Sequence, residues 1–241
     1  MSTIYKRVII KLSGEALADK KEHMILDHEK LVHIADAVKS VLSLGVEVGI
    51  VVGAGNIWRG KLAEKIGIEP STADYMGMLG TIMNALAVQS AIEERGMPCR
   101  VMSAINVPQV CEPYLRRKAV KHMSEGIVTI FAGGTGNPYF TTDTCASLRA
   151  VETNCDAILM GKNGVDGVYD SDPRVNPNAK LYESIPLDEL ISHKLGVMDL
   201  TAAAMLQGKG IAVRVFNMND PENFLRVLRG EKVGTTVTDE K

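Results

Sequence analysis

The sequence lacks the features of a zinc-binding, secreted or membrane protein. Its four cysteines, at positions 99, 111, 145 and 155, form no C-x-x-C pair, and its five histidines form no H-E-x-x-H set. No apolar run reaches the length of a membrane span, and the N-terminus has no signal-peptide pattern. We therefore expect a cytoplasmic protein with reduced, buried thiols and no zinc site.

Several familiar phosphate-binding motifs are also missing. The absence of G-x-x-x-x-G-K-[ST] excludes a P-loop enzyme, and the HRD and DFG motifs of protein kinases are absent as well. "GAGNIW" begins like a dinucleotide-binding G-x-G-x-x-G, but Trp58 stands where the third glycine must allow close packing of helix and strand. The net charge of −2 gives no reason to expect nucleic acid or a membrane surface as a partner.

What is present is a series of aliphatic runs that alternate with amphipathic helices. The low aromatic content of 5% and the 22 glycines suit aliphatic strands joined by tight turns. Between the first two strands the spacing of apolar residues predicts a helix, with Asp27 as its N-cap. Continuous apolar strands separated by helices predict one α/β domain with a mainly parallel sheet covered on both faces. The predicted strands are 7–12, 46–52, 100–103, 127–132, 157–160 and 211–216.

Two segments depart from this alternation. Residues 166–186 contain three prolines and no helical pattern, which predicts a long turn or an irregular hairpin beside the sheet. Residues 75–88 are apolar or small on nearly every side of a predicted helix, so that helix must be buried all round. It is either a central core helix or part of a subunit interface. We favour the interface, because the sheet already has other helices to cover it.

Glycines follow four of the predicted strands, together with cationic and polar side chains. In open parallel sheets, ligands bind beyond the carboxyl ends of the strands. Glycine exposes backbone N–H groups, and lysine and arginine supply positive charge, so this combination predicts a phosphate site. Each residue alone has a plainer explanation: Gly14 as a turn, Lys11 as a solvated charge, Arg59 as a surface partner of Glu64. The set comprises Lys11, Ser13, Gly14, Gly53, Gly55, Asn56, Arg59, the segment 131–144, Lys162, Asn163, Asp166, Tyr169 and Asp172.

Seven segments, in order over almost the whole chain, resemble the motifs of one family. They are "KLSGEAL" at 11–17, "GAGNIWRG" at 53–60, "ADYMGMLGTIMNAL" at 73–86, "GTGNPYFTTDT" at 134–144, "KNGVDGVYDSDP" at 162–173, "VMDLTA" at 197–202 and "VFNMN" at 215–219. The chain resembles the bacterial uridylate (UMP) kinases of the amino-acid kinase superfamily. "TGNPYFTTD" and "VMDLTA" are specific to that branch, whereas the first glycine loop is shared by the wider superfamily.

The resemblance implies a three-layer αβα sandwich of the amino-acid kinase (carbamate kinase-like) fold, formed by a single domain over residues 1–241. Enzymes of the family transfer the γ-phosphoryl group of ATP to UMP with Mg²⁺, giving UDP and ADP in pyrimidine nucleotide biosynthesis. The resemblance also implies that residues 1–150 bind the acceptor and residues 151–241 bind ATP. It further implies hexamers built from dimers, and UTP as a feedback inhibitor that occupies the UMP pocket.

The resemblance assigns roles to individual residues. Lys11 and Arg59 would place cations at the oxygens of the transferred phosphoryl group. Asp143 and Asp199 would hold Lys11 and organise the metal–phosphate region, although which carboxylate does which stays open, and either could simply be a helix N-cap. The implied ATP contacts are Lys11, Leu12, Ser13, Gly14, Gly55, Arg59, Lys162, Asn163, Tyr169 and Asp172. The implied UMP contacts are Gly53, Ala54, Asp74, Thr135, Gly136, Asn137, Pro138, Tyr139, Phe140, Thr141 and Thr142, with Asp74 at the ribose.

Two departures from the family pattern matter. The family has three glycines before the asparagine of the second loop, and this chain has Ala54 in the middle, which is tolerable only if the φ angle there is negative. Many members carry a Gly-Phe-Gly segment linked to activation by GTP. This chain has "DKKEHMILD" instead, so we do not expect that activation.

Two other functions remain in competition at this point. An acyl-phosphate-forming amino-acid or carbamate kinase would share the fold, but it would need a cationic or amide pocket for its acceptor. Asp74 and the neutral Thr/Asn loop suit ribose and uracil better. A non-catalytic nucleotide sensor would have no need of Lys11, Arg59 and Asp143 together.

Overall fold

The described part of the chain forms one nine-stranded sheet between two layers of helices. The computed structural model describes residues 3–239 except residues 20, 174 and 194, and leaves out the side chains of residues 61 and 64. The strands are β1 (Arg7–Leu12), β2 (Glu47–Val52), β3 (Cys99–Ser103), β4 (Glu112–Pro113), β5 (Val128–Ala132), β6 (Ala157–Lys162), β7 (Ser184–Pro186), β8 (Ala212–Asn217) and β9 (Thr235–Thr238).

The sheet is almost entirely parallel. Its strand order is β4-β3-β5-β2-β1-β6-β8-β9-β7, and only the β8–β9 pair is antiparallel among the described strands. The register of the central pair sets Lys11 of β1 beside Val51 of β2 and Met160 of β6. The carboxyl ends of β1, β2, β5 and β6 therefore meet at one edge of the sheet.

Helices cover both faces of this sheet. They are α1 (His28–Ser43), α2 (Gly60–Lys65), α3 (Pro70–Glu94), α4 (Arg116–Ser124), α5 (Thr142–Glu152), α6 (Leu187–Ser192), α7 (Leu200–Leu206) and α8 (Glu222–Leu228). One hydrophobic core lies between the sheet and α1, α3 and α8, and a second lies between the sheet and α4 to α7. The α/β prediction, with a mainly parallel sheet covered on both faces, is confirmed. No helix in the described part of the chain is long and apolar enough to cross a membrane.

Local sequence explains the elements that hold the site. The strands in the middle of the sheet are buried along nearly their whole length, as continuous aliphatic runs require. Helix α1 begins after Asp27, whose side chain accepts a hydrogen bond from Lys30 N at 2.9 Å, so the predicted N-cap is confirmed. All six predicted strands are present, with bounds that differ from the prediction by at most two residues.

The two irregular segments have different outcomes. Residues 166–186 form an irregular hairpin, in which Tyr169 and Leu181 make an isolated antiparallel bridge before β7 begins, as predicted. Helix α3 is not buried all round within the chain. Tyr75, Leu79 and Met83, spaced four residues apart, are 45%, 49% and 50% exposed. The structure therefore does not support the alternative prediction, in which α3 is a central core helix enclosed by its own chain.

Candidate active site

Three strand ends converge so closely that glycine is required where they meet. A Cβ atom added to Gly14, after β1, would lie 2.4 Å from Asn56 Oδ1 and 2.6 Å from Gly53 O, in the loop after β2. A Cβ atom added to Gly53 would lie 3.4 Å from Thr142 Oγ1, at the start of α5 after β5. Gly14 is therefore more than a turn residue, because the loop after β2 fills the space of its missing side chain.

Lys11 and Asp143 form an ion pair at this edge of the sheet. Lys11 Nζ, near the end of β1, lies 2.5 Å from Asp143 Oδ1 in the first turn of α5, and both side chains are mostly buried. Thr141 caps α5 by accepting hydrogen bonds from Asp143 N at 3.0 Å and Thr144 N at 3.4 Å. The cap fixes the first helical turn, and with it the carboxylate that orients the ammonium group of Lys11.

A second lysine approaches the same pair. Lys162, the last residue of β6, donates from Nζ to Val197 O at 2.9 Å. Burial lowers the pKa of Lys162 below its usual value, and the charge of Lys11 lowers that pKa further, while Asp143 partly opposes both effects. The ammonium group of Lys162 thus lies within electrostatic range of the Lys11–Asp143 pair, and two nearby positive charges suit a bound polyphosphate.

Asp199 contacts the site differently from Asp143. Its side chain caps α7 by accepting from Ala202 N at 2.8 Å, and it also accepts from the hydroxyls of Thr141 and Thr144. Burial raises the pKa of the Asp199 carboxyl, but these hydrogen bonds outweigh burial and hold that pKa below its usual value. Of the two carboxylates, Asp143 binds Lys11, and Asp199 ties α7 to the start of α5.

A cavity of about 300 Å³ opens between α3 and the loop 133–141 that follows β5, and its lining includes Thr142, the residue before Asp143. We call this loop the acceptor loop. Asp74 on α3 faces the cavity and accepts a hydrogen bond from Tyr139 N at 2.7 Å, which fastens the loop to the helix. Tyr139 has a φ angle of 71°, a left-handed conformation that is unfavourable for a bulky residue, and the hydrogen bond that its N–H donates to Asp74 helps to hold it. The cavity is lined by Ala54, Gly55, Trp58, Gly60, Ala73, Asp74, Gly77, Met78, Thr81, Gly134, Thr135, Asn137, Phe140, Thr141 and Thr142.

Most of the residues predicted to bind UMP surround this cavity. Seven of the eleven line it, namely Ala54, Asp74, Thr135, Asn137, Phe140, Thr141 and Thr142. Gly53 contacts Thr142, which itself lines the cavity. Gly136 packs on Ala104, and a Cβ atom added to Gly136 would lie 3.3 Å from Ala104 Cβ. Tyr139 is 74% exposed, and its contribution to the site is its backbone N–H.

Arg59 lies shortly after the loop that follows β2. Its guanidinium group pairs with Glu15 and donates from Nε to Gly55 O at 3.1 Å. Among the described residues, Glu15 is thus the acidic partner of this arginine. The predicted alternative partner, Glu64, has a side chain outside the described residues. Arg59 and Gly55 line a separate cavity of about 330 Å³, adjacent to the acceptor cavity through the shared residues Gly55 and Trp58.

The residues predicted to contact ATP are spread along the same edge. Asn163 follows Lys162 and lines a cavity of about 480 Å³ together with Ala16, His33 and Asn219. Tyr169 and Asp172 do not line that cavity. They belong to the 166–186 hairpin, where the Asp172 carbonyl accepts from Val175 N and Asn176 N. Ser13 precedes a short 3-10 turn, and Leu12 is buried at the end of β1.

The described residues contain no group of three or more histidine, cysteine, aspartate or glutamate side chains placed to hold a metal ion. Mg²⁺ commonly binds through substrate phosphates and only one or two carboxylates. The Asp143 carboxylate beside Lys11 fits that pattern.

Comparison with known proteins places this geometry in a family. The family model described as "Amino acid kinase family" matches residues 6–217. The chain belongs to the amino acid kinase family. It is 52% identical to the uridylate kinase of Rubrobacter xylanophilus over 96% of this chain and 91% of that protein. It is 50% identical to the uridylate kinase of Limosilactobacillus reuteri over 97% of each. The crystal structure of UMP kinase from Bacillus anthracis superposes with a TM-score of 0.95 at 43% identity, over 98% of this chain and 97% of that one.

The structure has room for Ala54, the alanine that stands between two glycines in the loop after β2. Ala54 is not among the described residues with positive φ, so the condition set by its methyl group is met. Gly80 on α3 faces this methyl group, and a Cβ atom added there would lie 2.9 Å from Ala54 Cβ. The space for the methyl group is therefore provided by a glycine on the neighbouring helix.

Sequence reasoning missed two buried polar residues of α3 that touch the site loops. Thr81 accepts a hydrogen bond from Gly133 N, and Asn84 donates to Gly53 O. The available signal was the presence of a threonine and an asparagine inside an otherwise apolar helix, since buried polar groups require partners.

Proposed function

We propose that this protein is a uridylate kinase that transfers the γ-phosphoryl group of ATP to UMP, giving UDP and ADP. The observation that carries the proposal is the Lys11–Asp143 pair together with a cavity lined by Asp74 and the neutral acceptor loop. The names of relatives that match over nearly the whole chain support it. The described side chains that line the cavity include Asp74 and no cation, which suits ribose and uracil better than the carboxylate of an amino-acid or carbamate acceptor.

Catalysis rests on alignment and charge. In phosphoryl transfer, negative charge on the equatorial oxygens must be stabilised, and the protein performs little covalent chemistry. Asp143 holds the ammonium group of Lys11 in place, and Lys162 adds a second positive charge. The backbone N–H groups around Gly14 and Gly55 approach phosphate oxygens without side chains in the way.

Mg²⁺ would enter with ATP, bound mainly by phosphate oxygens. Asp143 is the carboxylate that would complete its coordination, directly or through water. The ion would neutralise part of the phosphate charge.

The two substrates approach the ion pair from different directions. UMP occupies the acceptor cavity, built from residues within 1–150. ATP extends from Lys162 and Asn163 into residues 151–241, with Tyr169 near adenine and Asp172 near the ribose. UTP would inhibit by occupying the UMP cavity. Use of ATP and the four free thiols favour a cytoplasmic location.

Nucleotide specificity tests this proposal. Initial rates of ADP formation are measured with Mg²⁺-ATP and UMP, CMP or dUMP, each with and without GTP or UTP. UMP should be the preferred acceptor, UTP should compete with it, and GTP should not activate. Equal rates with CMP would contradict the assignment of the acceptor loop to uracil. Binding of UMP and ATP with no UDP formed would favour a nucleotide sensor.

Asp74 provides a prediction about UMP binding. The Asp74→Asn variant keeps a side-chain oxygen for Tyr139 N but loses the negative charge that would accept from the ribose. This hydrogen bond should stabilise bound UMP equally in the ground state and in the transition state. Its loss should therefore raise KM for UMP by about tenfold and leave kcat nearly unchanged. Steady-state kinetics with UMP varied at saturating ATP measures both constants. A fall in kcat with an unchanged KM would contradict a binding role for Asp74.

The exposed stripe on α3 supports a homo-oligomer, which we propose is a hexamer built from dimers. Tyr75, Leu79 and Met83 form an uncharged row that a second copy, related by a two-fold axis, would cover with its own row.

A charge placed in this row should disrupt the dimer. We expect Leu79→Glu to lower the mass measured by light scattering, because two carboxylates would face each other across an apolar contact. The matched control is Val175→Glu on the 166–186 hairpin, which should leave the mass unchanged. A wild-type protein of 26.1 kDa, the mass of one chain, would overturn the proposed assembly.

A further inference from the structure

Helix α3 carries two buried polar side chains between its apolar residues. Thr81 is 4% exposed and Asn84 is fully buried. Each bonds to the backbone of a different loop of the candidate site: Thr81 to the acceptor loop, and Asn84 to the loop after β2. The loop after β2, residues 53–56, is called the phosphate loop below.

Thr81 fixes the point at which the acceptor loop leaves the sheet. Its hydroxyl donates to Met78 O on its own helix at 2.6 Å and accepts from Gly133 N at 2.9 Å. Because a hydroxyl has one proton, the bond to Met78 directs an oxygen lone pair towards Gly133. Gly133 has a φ angle of 72°, and a Cβ atom there would lie 2.8 Å from Ser103 Oγ, so the backbone at this point has little freedom to move.

Asn84 fixes the phosphate loop. Its Nδ2 donates to Gly53 O at 2.7 Å and to Asn56 Oδ1 at 2.8 Å, and its Oδ1 accepts from Asn56 Nδ2 at 3.1 Å. Asn56 Nδ2 also donates to Ile25 O at 2.6 Å, which joins the segment before α1 to the same network. The two amides thus hold both ends of the loop against α3.

The bond to Gly53 O has a consequence for the next peptide N–H. In a planar trans peptide the N–H of one residue points away from the C=O of the residue before it. Because Asn84 draws the Gly53 carbonyl towards α3, the Ala54 N–H points away from that helix. Within the described residues neither Ala54 N nor Gly55 N donates to another protein group, and both residues line the acceptor cavity. The Ala54 N–H group is therefore an oriented donor for an anionic ligand, and the Gly55 N–H group lies next to it in the same loop.

We propose that α3 is the positioning element of the active site, with Thr81 and Asn84 as positioning residues for two different steps. Thr81 sets the acceptor loop and so controls binding of UMP. Asn84 sets the phosphate loop and so controls alignment during phosphoryl transfer. Asp74 lies two helical turns before Thr81, so one rigid helix holds three contacts with the site loops. This inference rests on the proposed uridylate kinase function.

The experiment compares Thr81→Val, Thr81→Ser, Asn84→Ala and the wild type. Valine removes the hydroxyl and keeps the shape of threonine, while serine keeps the hydroxyl. The matched control is Thr153→Val, which removes another buried threonine hydroxyl, bonded to Arg149 O at 2.6 Å at the far end of α5. Steady-state constants are measured for UMP and ATP, the Kd of each nucleotide is measured by calorimetry, and thermal unfolding is recorded for every variant.

Thr81→Val should raise both KM and Kd for UMP about fivefold or more, with the Kd for ATP and kcat within about twofold, and Thr81→Ser should restore wild-type values. Asn84→Ala should lower kcat about tenfold or more, since small misplacements of aligned groups are costly, with a smaller change in the Kd for UMP.

A purely structural role would give a different result. In that case kcat and both dissociation constants would change together in every variant, including the Thr153→Val control, and in proportion to the fall in unfolding temperature. That result would overturn the proposal. A wild-type protein that makes no UDP would instead count against the proposed function. In that case, the effect of Thr81→Val on the Kd for UMP would still test the positioning of the acceptor loop.

Discussion

The Lys11→Met variant is expected to form UDP with a kcat about 100-fold lower than the wild type, or lower still, while KM for UMP stays within about twofold. Methionine keeps an unbranched side chain of similar length near the end of β1 and removes the ammonium group, with its charge and its N–H donors. The ammonium group of Lys11 acts on charge that develops in the transition state, so its loss falls on kcat. A 100-fold loss corresponds to about 2.7 kcal/mol of transition-state stabilisation.

The chain offers a matched control for this change. Lys6 lies just before β1, at the opposite end of that strand, is 82% exposed, and approaches Glu47 at 3.9 Å. Lys6→Met should leave kcat unchanged. Thermal unfolding of both variants separates lost folding from lost chemistry, because Lys11→Met also leaves the mostly buried Asp143 without its counter-charge. A Lys11→Met enzyme with normal kcat and a greatly raised KM for UMP would contradict the assigned role.

The two carboxylates should respond differently to the same substitution. Asp143→Asn removes the charge that holds Lys11 and should lower kcat by about 100-fold. Asp199→Asn should lower kcat by less than about tenfold, because asparagine is also a good N-cap for α7 and Lys11 keeps its partner. Its main effect should be on stability, since the hydroxyls of Thr141 and Thr144 would lose a charged acceptor, at a cost of about 1–2 kcal/mol.

Single-turnover measurement of UDP formation, paired with urea unfolding, distinguishes these effects. An Asp199→Asn enzyme as slow as Asp143→Asn, with unaltered stability, would mean that Asp199 takes part in the chemistry. The geometry would then have assigned the two residues wrongly.

The central strands of the fold could be predicted from the sequence, and the edges could not. Strand β1 has the predicted bounds, because a continuous aliphatic run is buried on both faces of a parallel sheet whatever its neighbours are. Strands β4, β7 and β9 contain two to four residues each and were not predicted. Their pairing depends on an available sheet edge, and a short segment such as Thr235–Thr238 carries too little pattern to reveal it.

The candidate site could be predicted as a set of residues, but not as a set of contacts. Glycines and cations after parallel strands indicated a phosphate site, since the ends of those strands must share one edge. The partners of the charged groups depend on rotamers and on packing between distant segments. For this reason the sequence left Asp143 and Asp199 interchangeable, and it did not indicate that Glu15 pairs with Arg59.

Helix α3 shows a limit of prediction from composition. Its small and apolar composition predicted burial on every face, yet one row of its side chains is exposed in the single chain. Composition reports how much apolar surface a helix carries, and does not report whether its own chain or another copy covers that surface. The polar residues Thr81 and Asn84 indicated that buried partners must exist, but the sequence did not show which loops supply those partners.

One competition experiment tests most directly whether this protein is a uridylate kinase that uses Lys11. The protein is incubated with Mg²⁺ and ATP labelled at the γ-phosphate, together with equal concentrations of UMP, N-acetylglutamate, aspartate and carbamate, and the labelled products are separated. We expect the label in UDP, and we expect Lys11→Met to reduce this transfer about 100-fold while Lys6→Met does not. Label in an acyl phosphate, or transfer to UMP that is unaffected by Lys11→Met, would contradict a uridylate kinase that uses Lys11.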